Sequence, residues 1–504
     1  MKKKSFKEKI DNKFDITKRH SNIKIEIIAG CTTFLAMAYI LVVNPNNILW
    51  NGTSDPRFSS VFIATAIGAF LGTLLMALIA KMPLAQAPGM GVNAIAGSII
   101  GGALGFSYSY GNAMMIILLA GSIFLLLSVI PCGKDPQTGK MVSLREQIFN
   151  AMPKPIISSI SVGVGLFITF IGLQNAHIIT SNEFTLVELI KFNNPALWAP
   201  GGEACMATVA IFGLIVIGVL SHYKVKGSII IGIIASTILA IFLGVTNLNI
   251  LTGTTPGISW NFVANIRDFF DITKDSSVFL TIFKDGFIFP EGSLFTSVML
   301  IISFTMIDMF DTMGTVVGCC QNADLLDENG KPLNYKEMLY CDSLATVIGA
   351  ALGTSTIDIF VESSTGVSAG GKTGLTAITT SILFLLSIFL LPLFAFIPSS
   401  AAASALIYVG VIMISNIKNV DFKHIKNALP SFMTIIIMLL SYSITDGIGI
   451  GIVFFVILDI IIYLIDILRY KLNKTRNKPH LESNIITIII AILFLIYFLV
   501  PNII

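Results

Sequence analysis

The sequence predicts an all-α polytopic membrane protein, with fourteen spans arranged as seven plus seven in an inverted repeat. Three observations carry that prediction. Hydrophobic residues make up 54% of the 504 and charged residues 12%, with a mean hydropathy of +0.85. A soluble domain carries about 25% charge, so this chain cannot cover itself with a water-compatible surface. Apolar runs long enough for a helix to cross hydrocarbon recur along the chain, without the alternating short strands of a barrel. Finally, Ala64–Thr73 reads ATAIGAFLGT and Ala345–Thr354 reads ATVIGAALGT, with two differences between runs 281 residues apart.

The start of the chain, residues 1–24, is strongly basic (MKKKSFKEK, then Lys18, Arg19 and Lys24) and is expected in the cytoplasm. The apolar run at 25–49 has no small-residue cleavage site and is followed by many more. It reads as a first membrane helix, not a removed signal peptide. Further spans fall near 58–80, 90–105, 111–131, 155–175, 205–221 and 227–246, completing a first repeat over 25–246. A polar loop at 247–292, with Gly253, Pro256, Gly257 and an Asp/Lys-rich stretch, is expected on the outside. The second repeat, 293–468, holds spans near 293–317, 338–353, 359–370, 374–396, 400–416, 429–444 and 447–468. Residues 469–504 add the basic cluster Arg469–Lys478 and a last apolar run at 484–503.

Lysine and arginine orient the spans. Inside loops carry Lys81, Lys134, Lys140, Arg145, Lys154, Lys224 and Lys226 in the first half. In the second half they carry Lys331, Lys336, Lys372, Lys418, Lys423 and Lys426. Outside segments such as 105–112 and 394–399 carry none. An odd number of spans per copy forces the second copy to enter the membrane the opposite way up. The likeness continues past the paired runs: PIISSISVGVGLF from Pro155 corresponds to PSSAAASALIYVGVIMI from Pro398. Within the runs, Gly68 and Gly72, like Gly349 and Gly353, stand four apart on one helix face. Such seams let two backbones approach closely in lipid.

Each run leads into a small-residue break, APGMGVNA (Ala87–Ala94) in the first copy and ESSTGVSA (Glu362–Ala369) in the second. Paired interruptions in the two halves of a repeat are the sequence mark of a transporter with its site between the copies. Ionisable residues inside spans cost roughly 2.5–3.5 kcal/mol each on insertion scales, so those present carry information. Asp308 and Asp311 lie three apart on one helical face, and Glu362 sits at the second break. The first break carries Asn93 instead. Asp311, Glu362 and Asn93 are expected to converge on a midplane pocket, where the glycines let the segments unwind and free amide donors. Burial favours the uncharged form of a carboxyl, which suits reversible protonation. Asp308 serves equally as a brace, and Asp358 is expected to be solvated near the outer end of its segment.

Other features point away from chemistry. Six cysteines and five histidines show no metal-ligand spacing, and the cysteines read as buried small hydrophobes. The GGKTG of Gly370–Gly374 lacks the spacing and preceding strand of a phosphate loop, so nucleotide hydrolysis is rejected. No nucleophile–base arrangement emerges, and no cofactor, metal or nucleic-acid partner is expected. VSLREQIFNAM (Val142–Met152) reads as an amphipathic helix on the cytoplasmic membrane surface.

Four motifs in order, GCTTFLAMAYILVVNP (Gly30–Pro45), APGMGVNA, DMFDTMGT (Asp308–Thr315) and GTSTIDIFVESSTGVSAGGKTGLTA (Gly353–Ala377), resemble the AzgA-like purine permeases of the nucleobase:cation symporter-2 (xanthine/uracil permease) family. The resemblance runs from about residue 20 to 470. It implies core and gate domains, elevator-like movement, and short extended stretches in spans three and ten, leading into Met90–Ala94 and through Thr356–Val361. It implies a multi-pass cell-membrane transporter that imports hypoxanthine, guanine or adenine with protons, and a homodimer as a candidate assembly. Glu362 matches the acid that hydrogen-bonds the base, Asp311 the acid of span eight, Asp308 its companion and Asn93 the polar residue of span three. Phe360, Val361 and Thr315 complete the implied substrate contacts, and Asp311, Glu362 and Asp308 the implied proton-coupling set. Where the family usually reads Thr-Thr-Tyr, this chain has Asp358-Ile359-Phe360, which adds a carboxylate and removes a phenol. Alternatives are a same-fold carrier of xanthine, uracil or an anion, sodium coupling, and a channel or membrane enzyme. Two central carboxylates argue against an anion site.

Overall fold

The computed structural model describes residues 11–499 apart from 12, 50–54, 103–104, 135–140, 146, 148–151, 183, 226, 247, 249–259, 323–324, 326–331, 442–443 and 473–479. Nearly every apolar run becomes a helix, because in lipid each backbone polar group must bond within its own segment. The first repeat contains α1 (Ile23–Ile48), α2 (Phe58–Ala80), α3 (Met90–Ile100), α4 (Tyr110–Val129), α5 (Lys154–Asn175), α6 (Glu203–His222) and α7 (Ser228–Phe242). The second contains α8 (Leu294–Asn322), α9 (Tyr335–Leu352), α10 (Ser363–Ser368), α11 (Gly374–Ala395), α12 (Ser399–Asn419), α13 (Ile425–Leu440) and α14 (Ile444–Leu472). Helix α15 (Ile485–Leu499) packs against α14, where Phe494 lies on Gly449.

Two groups of helices pack among themselves. Helices α1–α4 with α8–α11 form the core domain, and α5–α7 with α12–α14 form the gate domain. In the gate, the two proline-initiated helices α5 and α12 lie against each other, with Gly165 on Met413. In the core, α3 and α10 are short because an extended stretch precedes each. Strand β1 (Gln86–Pro88) leads into α3. The other strands of the first repeat are β2 (Pro131–Lys134), β3 (Met141–Ser143), β4 (Ile179–Asn182) and β5 (Leu186–Leu189). Strand β6 (Ile357–Ile359) leads into α10 and pairs antiparallel with β1, placing Ala87 opposite Asp358. Phe360 N–H donates to Ala85 O at 3.1 Å and Gly89 N–H to Thr356 O at 2.8 Å, closing the ladder at both ends.

The repeated runs clasp this ladder. A methyl on Gly72 of α2 would lie 2.8 Å from Ile357 and 3.2 Å from the Ala345 side chain of α9. A methyl on Gly349 of α9 would lie 2.7 Å from the same isoleucine. The small-residue seams therefore hold the crossing strands, as well as each other, at the centre of the core.

Three segments differ from expectation. The 247–292 loop is partly folded: Phe262–Phe270 and Ile282–Asp285 are helical, and Val278 and Ile282 are buried. Asn112 Nδ2 holds it by donating to the carbonyls of Asp285, Gly286 and Ile288. At the chain start, Phe14 and Ile16 are buried, and Arg19 donates to Lys81 O at 3.0 Å and Lys372 O at 2.9 Å, tying that segment to the core. The supposed surface helix at 142–152 begins instead as β3, paired with β2, and Arg145 turns inward to full burial. Residues 146 and 148–151 of that stretch lie outside the described ones.

Candidate functional site

The two breaks meet where core and gate face each other. Glu362 stands at the start of α10, directly after β6, and is 5% exposed. Tyr39 of α1 donates its hydroxyl to Glu362 Oε1 at 2.6 Å, fixing the carboxylate's direction. A cleft of about 40 Å³ lies beside it, lined from the core by Met90, Asp311, Thr315, Asp358, Phe360, Val361 and Glu362. The gate contributes Val164 and Ile168 of α5 and Val409 and Met413 of α12. Five expected residues, Asp311, Glu362, Phe360, Val361 and Thr315, are thus brought together.

A second cavity of about 450 Å³ shares Val361, Glu362, Val409 and Met413 with the first and reaches the exposed Lys224. Ser364, Thr365 and Ser368 of α10 and Thr32 of α1 line its core side. The central acid is therefore reachable from one side of the protein. That volume is within the range of small-molecule sites.

Asn93, in the first turn of α3, is fully buried and accepts a hydrogen bond from Ser355 Oγ. Among the described residues its Nδ2 has no partner, and, contrary to expectation, Asn93 does not line the cleft that Asp311 and Glu362 share, because α3 carries it into the packed core. Asp308 lies one turn from Asp311, away from the cleft, and accepts from Thr346 Oγ1 of α9 at 3.0 Å. Asp358, expected to be solvated, is 3% exposed and faces the protein interior, because β6 runs through the middle of the core. A side chain at Gly89 would collide with the Asp358 carboxylate, so the glycine makes that approach possible.

Sequence reasoning missed three partners. Tyr39 sits in an unbroken apolar run and gave no sign of facing an acid. Asp342 is fully buried on α9, three residues before the repeated run, where the first copy has Val61. That acid-for-valine exchange was its available signal. Arg145 pairs with it, Nη2 to Asp342 Oδ2 at 3.2 Å, with both side chains 0% exposed and the guanidinium 3.7 Å above the centroid of Phe124.

The comparisons agree with this architecture. The transmembrane domain of the cyanobacterial bicarbonate transporter BicA superposes with a TM-score of 0.55 at 15% identity, covering 85% of this chain and 97% of that one. Murine Slc26a9, an anion transporter in the inward-facing state, gives 0.52 at 11% identity, covering 93% and 74%. These likenesses concern the fold: a seven-plus-seven inverted repeat. By sequence, the adenine permease AdeP of Escherichia coli is 33% identical over 451 residues, 90% of each chain. The guanine/hypoxanthine permease PbuG of Bacillus subtilis is 35% identical over 453 residues, covering 88% of this chain and 92% of that one. PbuO of the same organism, also a guanine/hypoxanthine permease, is 34% identical over 440 residues, covering 87% and 92%. The Permease family model matches residues 24–450. The chain belongs to this family, that of the xanthine and uracil permeases, and is a multi-pass membrane transporter, not an enzyme.

Proposed function

We propose that the protein imports purine nucleobases across the cell membrane by proton symport, with its N-terminus in the cytoplasm. The observation that carries the reading is a single oriented carboxylate, Glu362, fixed by Tyr39 at the end of a cavity and backed by Asp311. A purine presents N–H edges that need buried acceptors, and ring nitrogens and a carbonyl that need donors. Glu362 supplies the acceptor, the Thr315 hydroxyl a donor, and Phe360, Val361 and Met90 the apolar walls. A site built on such hydrogen bonds strongly rejects analogues that leave a buried group unpaired. Asp311, with Asp308 behind it on α8, is the group that takes up the proton. The names of AdeP, PbuG and PbuO support a purine as cargo. The open path to Lys224 then corresponds to the inward-facing state, since the basic loops mark the cytoplasmic side.

The test is uptake of radiolabelled hypoxanthine, guanine, adenine, xanthine and uracil in cells expressing the protein, with and without a protonophore. Uptake of at least one purine, abolished by the protonophore, is expected. Failure of every purine to move contradicts the cargo, and uptake that survives collapse of the proton gradient contradicts the coupling.

A further inference from the structure

Beside the cleft, Asp308 of α8, Asp342 of α9 and Asp358 of β6 bring one carboxylate oxygen each to within 4.8 Å of one another, all buried, and Asp358 also lines the cleft. The cation facing them among the described residues is Arg145, which also donates to Leu339 O at 3.2 Å. Three carboxylates against one guanidinium leave the group short of positive charge, a costly state in a low-dielectric interior. The group is also short of donors. Thr346 serves Asp308 Oδ2, Thr356 serves Asp358 Oδ2 at 3.1 Å, and Gln86 Nε2 serves Asp342 Oδ1 at 3.3 Å. Among the described residues, no donor bonds Asp308 Oδ1, Asp358 Oδ1 or Gln86 Oε1. A buried acceptor without a donor costs roughly 1–3 kcal/mol.

A bound proton removes both shortages at once, because it adds charge and turns a carboxylate oxygen into an O–H donor. We propose that this cluster is a second proton-binding site, in which Asp308 and Asp358 share a further transported proton beside the one taken up at Asp311, while Arg145 holds Asp342 as a fixed counter-charge. The inference rests on the proton-symport reading. The proton arrives from one solution onto an oxygen of the Asp308–Asp358 pair and leaves to the other, returning the pair to its starting state. Asp311 faces the pair from the cleft with Glu362 beyond it, Asp342 from α9 and Arg145 from the segment after β3. Tyr335 adds a titratable group beside Arg145.

The experiment uses the full-length protein in proteoliposomes, with the membrane potential clamped. Steady-state accumulation of radiolabelled hypoxanthine is measured against a series of imposed pH gradients, in choline and in sodium medium. The slope of log accumulation against the pH difference counts protons moved per purine. Asp358→Asn and Asp358→Thr are both expected to lower that slope by one proton while uptake stays saturable, and Arg145→Lys is expected to keep the wild-type slope. Wild-type slopes in both Asp358 variants overturn the inference. So does loss of purine binding in both variants when their thermal unfolding is unchanged, which would place the pair in the purine site. A sodium-dependent slope that disappears with Asp358 makes the cluster a sodium site and overturns it too. A wild-type slope of zero instead overturns the proton-symport reading beneath it.

Discussion

Thr65 of α2 and Thr346 of α9 occupy the same place in the two copies of the repeated run. Thr65 accepts from Asn44 Nδ2 at 2.6 Å, whereas Thr346 donates to Asp308 Oδ2 at 3.0 Å. The same divergence recurs around them. Val61 in the first copy stands where the second has Asp342, and the first break leads to Asn93 where the second leads to Glu362. What the copies share is packing: Gly72 and Gly349 both press on Ile357, and β1 pairs with β6. What they do not share is charge. Duplication provides a symmetric scaffold whose crossing point lies at mid-core, and the carboxylates gather on one side of it.

That asymmetry can be broken at several points. The largest effect is expected from Arg145→Ala, which leaves Asp342 buried without its partner. Breaking a buried ion pair costs about 3–5 kcal/mol, so the purified variant should unfold at markedly lower temperature. A variant as stable as wild type would mean that Asp342 is not held by Arg145. Next comes Glu362→Gln, expected to weaken hypoxanthine binding by about 10–100-fold, the worth of a hydrogen bond to a charged group (~1.5–3 kcal/mol). Asp311→Asn should abolish uptake although the protein still reaches the membrane, and normal uptake by either variant removes that residue from the site. Tyr39→Phe, which only frees the Glu362 carboxylate to turn, is expected to cost about 1 kcal/mol, a several-fold rise in the hypoxanthine Kd. Asn93→Ala should be the mildest, at about 0.5 kcal/mol or less, the low end for one neutral hydrogen bond, since Asn93 does not line the cleft. An Asn93→Ala defect larger than that of Tyr39→Phe would move weight back to the first copy.

The spans were legible because a membrane helix needs a long apolar run, and composition alone reveals it. The two strands were not legible from the residues. Three residues each are too few for an alternating pattern, and only the family resemblance pointed to them. Glu362 and Asp311 were found because a charge inside a span is rare. Asp342 escaped the same logic because it lies near the start of a helix whose first turn carries Lys336 and Glu337, and so looks like a span end. Arg145 was misread because a basic residue in an amphipathic stretch usually lies on the membrane surface, whereas here β3 pairs with β2 and turns it inward. Asp358 was misplaced for a related reason: without the strand pairing, nothing in the sequence puts that residue at the centre of the core.

Equilibrium binding of radiolabelled hypoxanthine to the purified protein, with Glu362→Gln and Asn93→Ala measured side by side, tests the division between the copies most directly. The expected result is a Kd raised by about 10–100-fold for Glu362→Gln and by no more than about two- to threefold for Asn93→Ala. A Glu362→Gln protein that binds hypoxanthine like wild type, or an Asn93→Ala protein that binds it worse than Glu362→Gln does, would contradict the account.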